Sequence, residues 1–311
     1  MKTLKPDIVQ KAYMIDQTAA LDLPNRKVVR KLYEAASASL EKPLCLTAAE
    51  RIAKTCNEGD TVFIITGFPV LPKNVGETDG PPGAAVLAET LRAVGLEPIM
   101  ITDDICVDVV KAASSNVPVL TVPIDDKQAQ HTAENLLSKH EPSTLIAIER
   151  PGWNARQEYH TMRGLNISSL VGKTDHLFKM GQSRGIATIA VGDGGNELGC
   201  GKIIHTVRKH VPYGAKCQCP CGTGIAASTS ADVLVFGGTS NWAAYGIAAC
   251  LSLLKKLEYR HDKESELKLL RRILDAGAVD SVSRESQPFV DGVPTPINSL
   301  VVHLIWTITN A

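Results

Sequence analysis

The chain has 311 residues, of which 44% are hydrophobic and 21% charged, the composition of a globular protein with a buried core. Its 33 Lys and Arg residues equal its 33 Asp and Glu residues, so no net field attracts nucleic acid or an anionic membrane. We therefore expect a neutral, soluble protein that binds neither.

The N-terminal segment has helical spacing and no strand pattern. We predict a helical lead-in over residues 1–58 that packs on a main domain at 59–311. The segment lacks the apolar core of a secretory signal, and no stretch reaches the roughly 20 apolar residues that span a bilayer. Four cysteines in apolar or helical patterns indicate reduced thiols and a cytosolic location: Cys45, Cys56, Cys106 and Cys250.

Six apolar segments alternate with segments of helical spacing along the rest of the chain. The near-continuous apolar runs are typical of strands covered on both faces, at residues 61–68, 97–104, 117–124, 144–150, 186–195 and 231–238. The helical patterns lie at 83–95, 126–140, 171–184, 241–258 and 263–276. We predict a closing helix at 293–309, with a strand as the alternative. This alternation predicts an α/β fold, with a largely parallel sheet between two layers of helices.

Polar residues follow most of the predicted strands, at the edge of the sheet where α/β proteins bind ligands. Turn preferences explain Asp, Asn and Gly in these loops, but they explain the glutamates at 77, 149 and 197 less well. We therefore predict one acidic, small-molecule active site at this edge.

The carboxylates of this edge suit a hard divalent cation such as Mg²⁺ or Mn²⁺ better than zinc. Our predicted metal ligands are Glu149, Asp193 and Glu197, with Asp79 as a further candidate. The alternative is that these side chains cap helices or form a structural network.

The segment GDGGNELGCGK at 192–202 resembles a phosphate-binding loop but does not match its pattern. Asn196 occupies the first glycine position, and Ile203 follows Lys202 where Ser or Thr is required. Its backbone N–H groups can still hold an anion. The segment therefore favours an anionic small molecule over a nucleotide.

Cys217, Cys219 and Cys221 stand at alternate positions, closer together than the usual zinc-binding pairs. No fourth ligand is evident nearby in the sequence. We favour a glycine-rich turn with partly buried thiols over a metal or redox role.

Four stretches resemble the D-glutamate cyclase family: ETDGPPGAAVLAETL (77–91), AIERPGWNARQEYHTMRG (147–164), GIATIAVGDGGNELGCGK (185–202) and GTSNWAAYG (238–246). The resemblance spans roughly residues 45 to 300. It implies a three-layer α/β/α fold with some similarity to macrodomains, and conversion of D-glutamate to 5-oxo-D-proline and water with the help of a divalent cation. The family domain is the C-terminal part of a longer mitochondrial protein in animals and stands alone in microbes, and we expect the stand-alone form.

The resemblance matches motif residues Glu77, Asp79, Gly80, Glu149, Arg163, Asp193, Gly194, Asn196, Glu197 and Asn241. We assign the catalytic proton transfers to Asp79, Glu77 and Lys202, with Asp79 as the base. We assign the substrate to Arg150, Arg163, Gly194, Gly195, Asn196 and Asn241. Two alternative functions stay open: binding of ADP-ribose or another nucleotide by a macrodomain-like protein, and hydrolysis by a metal-dependent phosphoesterase. The chain could also form a homo-oligomer.

Overall fold

The structure is a computed structural model that describes residues 6–114, 116–258 and 261–310. Residues 1–5, 115, 259–260 and 311, which fall within the predicted lead-in or main domain, lie outside the described residues.

All six predicted strands form one parallel sheet. Its strands are β1 (Thr61–Thr66), β4 (Glu97–Thr102), β5 (Val119–Thr121), β6 (Thr144–Ile148), β7 (Ala187–Gly192) and β8 (Val233–Phe236). Two hairpins lie outside it, made of β2 (Pro69–Val70) with β3 (Val75–Gly76) and β9 (Phe289–Val290) with β10 (Val293–Pro294). Every residue of β6 and β7 is buried, which confirms that the continuous apolar runs mark strands covered on both faces.

The helices separate the strands as the alternation predicted. They are α1 (Pro6–Ala19), α2 (Val29–Ser37), α3 (Leu44–Thr55), α4 (Pro81–Ala93), α5 (Val107–Ser114), α6 (Asp126–His140), α7 (Asp175–Ser183), α8 (Ile204–His210), α9 (Ser240–Lys255), α10 (Lys263–Asp275) and α11 (Thr295–Asn310). The sequence did not predict α5 and α8, which have eight and seven residues and are too short for a clear helical period.

Helices cover both faces of the sheet and give a three-layer α/β/α arrangement. Helices α4 and α9 pack on one face, and α7 with its neighbour α6 packs on the other. Helix α9 is buried over Ser240–Ser252 because α1, α3 and α11 pack around it as well. Helices α1 and α3 thus pack on the helix that follows the last sheet strand, whereas α2 packs on β8 and α8. No helix within the described residues is both long and apolar enough to cross a membrane.

The strand order places a ligand-binding crevice in the middle of the sheet. The order is β5-β4-β1-β6-β7-β8, so the direction of winding reverses between β1 and β6. Loops that leave two adjacent strands in opposite directions open a crevice beyond their carboxyl ends. The acidic loops after β1 and β6 meet at this crevice.

Candidate active site

Three of the predicted carboxylates meet at the crevice. Asp79, Glu149 and Asp193 each place a carboxylate oxygen within 4.8 Å of the other two, and all three residues are buried. Three converging carboxylates are the ligand type that a hard divalent cation prefers. Asp193 Oδ1 is buried and has no hydrogen-bond partner among the described residues, so it has a free position for such an ion. We call these three residues the acid cluster.

The starts of two helices hold Asp79 in place. The backbone N–H groups of Ser240 and Asn241, at the start of α9, donate to the two Asp79 oxygens over 2.8 and 2.9 Å. Asn241 Oδ1 in turn accepts hydrogen bonds from the N–H groups of Gly80 and Gly83, at the start of α4. The positive ends of both helices therefore face the cluster. Asn241 was predicted to bind substrate, but these contacts use its side chain to position Asp79.

Glu149 enters the cluster through an unusual backbone conformation directly after β6. Its φ of +41° lies in the left-handed region, which side chains with a Cβ seldom adopt and which costs about 1–3 kcal/mol. Ser240 Oγ donates to Glu149 Oε2 over 2.5 Å and fixes the carboxylate. A Cβ on Gly80 would lie 2.7 Å from the Glu149 Cβ, so only glycine fits beside it. The packing around Glu149 thus maintains a strained residue at the centre of the site.

The carboxylate of Glu197 binds backbone N–H groups of its own loop and is not part of the acid cluster. Its carboxylate accepts hydrogen bonds from the N–H groups of Asp193, Gly194 and Gly195 over 3.2, 2.7 and 2.6 Å. Cys200 Sγ donates to the same carboxylate over 3.2 Å. Glu197 was predicted as a metal ligand and the two glycines as substrate-binding residues, but here they bind one another. The arrangement fixes the loop that presents Asp193.

A cavity of about 240 Å³ lies beside the acid cluster. The apolar part of its lining includes Phe68, Met162 and Leu165. The polar lining contains four predicted residues, Glu77, Glu149, Arg163 and Asn196, and several that were not predicted, among them the charged residues Arg26, Arg284 and Asp291. Glu77 Oε1 and Asn196 Oδ1 are buried without a hydrogen-bond partner among the described residues, so both acceptors are free to meet a ligand.

Two predicted residues lie away from this cavity. The Arg150 guanidinium is fully buried, with Nη1 2.7 Å from Asp103 Oδ2. Its other donors bind Thr174 Oγ1 and the carbonyls of Gly67 and Gly172. Arg150 therefore joins loops inside the protein, and it is not among the residues that line the cavity.

Lys202 is also placed elsewhere. Its Nζ donates to the carbonyl of Asp232 over 2.7 Å, just before β8 begins. That position is at the amino end of the sheet, opposite the edge that carries the acid cluster. The loop after β7 thus returns along the sheet and carries Lys202 away from the catalytic position predicted for it.

Two residues that form ion pairs beside the acid cluster, Arg26 and Asp291, were also not predicted. Arg26 Nη2 lies 2.7 Å from Asp193 Oδ2 and 2.7 Å from Asp291 Oδ2, so one guanidinium joins the acid cluster to a further carboxylate. Arg26 comes from the loop between α1 and α2, and nothing in the local sequence indicates its role. Asp291 begins an Asp-Gly hairpin between β9 and β10, with positive φ at both residues, a turn that the sequence pattern could have indicated.

Burial and repulsion between neighbouring carboxylates favour the protonated forms of the carboxyl groups in the site. Burial raises the pKa of Glu77, Asp79, Glu149 and Asp193 well above ordinary carboxyl values, and neighbouring carboxylates raise each pKa further. Burial alone would also raise the pKa of Asp291, but the charge of Arg26 and hydrogen bonds with Asp193, Ser281 and Arg26 together outweigh burial and lower it. The site therefore holds more carboxylates than its arginine neutralises, which favours protons or a bound cation.

A divalent cation is expected to stabilise the fold, and to do so more at mildly alkaline than at mildly acidic pH. Carboxyl groups with raised pKa values contribute stability at low pH that is lost as pH rises through those values, and a cation replaces the lost protons. At a hundred times its dissociation constant the ion adds about 2.7 kcal/mol. Thermal unfolding with and without Mn²⁺ or Mg²⁺ measures this.

The test variant is Asp193→Asn, which removes one carboxylate of the acid cluster. The matched control is Glu264→Gln, at an exposed glutamate that pairs with Lys268. The stabilisation should disappear in Asp193→Asn and persist in Glu264→Gln. Equal stabilisation of both variants would show that the ion binds elsewhere.

Comparison with known proteins adds an independent observation. The family model described as D-glutamate cyclase-like, C-terminal, matches residues 16–305, a range that includes Arg26. The human protein named D-glutamate cyclase, mitochondrial, is 35% identical over 230 residues. The match covers 68% of this chain and 36% of the human protein, so the chain spans little more than a third of that relative. The cytosolic location inferred from the cysteines stays a prediction.

Proposed function

Because this chain belongs to the D-glutamate cyclase-like family, we propose that it converts D-glutamate to 5-oxo-D-proline and water in the cavity beside the acid cluster. The observation that carries the proposal is the lining of this cavity. Its lining combines the carboxylates of Glu77, Glu149 and Asp291 with the guanidinium groups of Arg26, Arg163 and Arg284. Glu77 Oε1 is buried without a hydrogen-bond partner among the described residues. A small amino acid with two carboxylates and one amine has complementary charges.

Ring closure requires proton transfers but no net acid or base. The substrate amine attacks the side-chain carboxyl carbon, a C–N bond forms, and one C–O bond of that carboxyl breaks. Two of the three ammonium protons end on the departing oxygen, which leaves as water. One carboxyl group that accepts and then donates a proton can serve both transfers.

Glu77 is the residue we propose for these transfers. It lines the cavity, one of its oxygens has no partner among the described residues, and its pKa is raised by burial and by Glu149. Asp79, our sequence-based choice, binds two backbone N–H groups of α9 and is not among the residues that line the cavity. The geometry therefore favours Glu77 over Asp79 as the acid–base group.

Substrate orientation is assigned to three further residues of the lining. Arg163 and Arg284 supply planar guanidinium groups that can pair with the α-carboxylate. The free Oδ1 of Asn196 can accept a hydrogen bond from the substrate amine. Holding the amine near the side-chain carboxyl makes an intramolecular attack efficient.

We assign the cation, Mn²⁺ or Mg²⁺, to Asp79, Glu149 and Asp193. When bound there it would supply Lewis acidity to the side-chain carboxylate, which is otherwise a poor electrophile. The three residues orient oxygens toward one point, and the helix starts and Ser240 hold two of them there.

The size of the cavity favours this function over nucleotide binding. Pockets for drug-sized ligands measure roughly 300–1,000 Å³, whereas this cavity measures about 240 Å³. No comparable observation favours the phosphoesterase alternative. The family relationship and the cavity therefore point to a small amino-acid substrate and to a lyase that eliminates water.

The test is formation of 5-oxoproline from D- and L-glutamate by purified protein, after chelation and after addition of Mn²⁺ or Mg²⁺. We expect turnover of the D-isomer that is lost with the metal and restored by it. The same preparation is assayed for phosphate release from generic phosphate esters and for nucleotide binding. No turnover of either glutamate isomer with any metal, together with nucleotide binding or phosphate release, would overturn the proposal.

A further inference from the structure

A second group of side chains with metal-ligand chemistry lies outside the acid cluster. His160, Cys217, Cys219 and Cys221 bring one imidazole nitrogen and three sulfur atoms within 4.8 Å of one another. His160 Nε2 lies 3.2 Å from Cys219 Sγ and 3.6 Å from Cys221 Sγ. Cys217 Sγ lies 3.5 Å from Cys219 Sγ and 3.2 Å from Cys221 Sγ. We call this group the thiol–imidazole cluster.

We propose that the thiol–imidazole cluster binds one Zn²⁺ in a closed, four-coordinate site. Three cysteines and one histidine form a common ligand set of structural zinc sites. A Zn–S bond of about 2.3 Å places the ligand atoms of a tetrahedron about 3.8 Å apart, and the observed separations are only slightly shorter. Thiolate ligands select zinc over Mg²⁺ and Mn²⁺, so this site differs chemically from the acid cluster.

The surroundings of the cluster orient its ligands. His160 Nδ1 lies 3.2 Å from the carbonyl oxygen of Glu158, so the Nδ1–H can donate there and leave Nε2 free for a metal. Asn154 Nδ2 donates to Cys221 Sγ over 3.4 Å. An N–H donor that faces sulfur stabilises the charged thiolate that a metal requires.

A disulfide explains the cluster less well than a metal. A disulfide needs sulfur atoms about 2.05 Å apart, and pairing two of the three cysteines leaves the third beside His160 without a role. All three cysteines have free thiols at the observed separations. Residues 218–221 form bends and turns instead of an extended strand, which lets alternate residues of the segment converge on one point.

The proposed zinc site lies behind the wall of the active-site cavity. The carbonyl of His160 accepts a hydrogen bond from Asn196 Nδ2 over 2.9 Å. Gln218 in the cysteine segment binds the carbonyls of Gly164 and Arg163 through its backbone and side chain. Zinc there would fix the loop that carries Arg163, so the site is structural and positions the cavity wall.

Metal content of the purified protein tests this proposal without relying on any activity. We expect close to one zinc per chain in the natural sequence and at least a tenfold loss in Cys221→Ser. Cys56→Ser is the matched control, because Cys56 is a half-buried thiol hydrogen-bonded to Thr144 and outside the cluster. Asp193→Asn separates the two sites, since it alters the acid cluster and should retain zinc.

Cobalt(II) provides a second measurement that does not depend on the folding of a variant. Added to zinc-depleted, reduced protein of the natural sequence, Co²⁺ should give the visible absorption of a tetrahedral site and a thiolate charge-transfer band. Absence of zinc from protein expressed with zinc, together with no cobalt spectrum, would overturn the proposal. Zinc retained in Cys221→Ser but lost in Asp193→Asn, or a disulfide between two of the three cysteines, would overturn it equally.

Discussion

Replacement of Glu77 by Gln is expected to lower kcat for 5-oxoproline formation by about 10²–10⁴-fold, the usual contribution of a positioned acid–base group. The amide keeps the size of the side chain but can neither accept the amine proton nor return it to the departing oxygen. Glu77 is 4% exposed and supports no ion pair within the described residues, so the fold should persist. Initial rates with saturating D-glutamate and metal measure the effect.

The pH profile separates this role from a merely structural one. Accepting the first proton requires ionised Glu77, and its pKa is raised by burial and by neighbouring carboxylates. The wild-type rate should therefore fall as pH falls through that raised value, and the residual rate of Glu77→Gln should lack this decrease. Glu285→Gln, at an exposed glutamate that pairs with Lys73, is the matched control. A Glu77→Gln enzyme with the wild-type rate and pH profile would exclude Glu77 as the proton-transfer group.

Replacement of Arg26 by Met is expected to destabilise the fold by about 3–5 kcal/mol, as when one partner is removed from a buried ion pair. Its guanidinium side chain is 17% exposed, whereas those of Asp193 and Asp291 are 1% and 2% exposed. Both carboxylates would lose their shared partner. Urea unfolding, which gives the free energy of unfolding, measures the loss, and the cyclase rate should fall with it because Asp193 belongs to the acid cluster.

The loss from Arg26→Met should depend on pH. Arg26 lowers the pKa of Asp291, so this contribution to stability is present above the ordinary carboxyl pKa and is lost as pH falls. Protonation also neutralises the buried carboxylates that lack an ion-pair partner in the variant. The stability of the variant should therefore approach that of the wild type at acidic pH. Arg30→Met, on the same segment but at a side chain that is 91% exposed, should change the free energy of unfolding little. Similar losses from Arg26→Met and Arg30→Met would show that the Arg26 ion pairs contribute no special stability.

The fold could be predicted because its signals are local. A strand buried on both faces must be apolar throughout, so the strands β6 and β7 can be recognised from a few consecutive residues. The position of Glu77, Asp79, Glu149 and Asp193 at one edge follows from the same pattern, since parallel strands end at the same edge. The sequence by itself therefore determined the layers, the edge and the acidic character of the site.

Tertiary structure decided which side chains face the cavity and which ones bind each other. Arg26 reaches Asp193 across 167 positions of sequence, and His160 reaches Cys219 across 59, distances at which no local pattern carries information. Conversely, Glu197 and Arg150 have the residue types of a site, but nearby backbone N–H groups and Asp103 bind them inside the protein. A buried polar group binds whichever partner packing brings within reach, so its role is fixed only when the whole chain has folded.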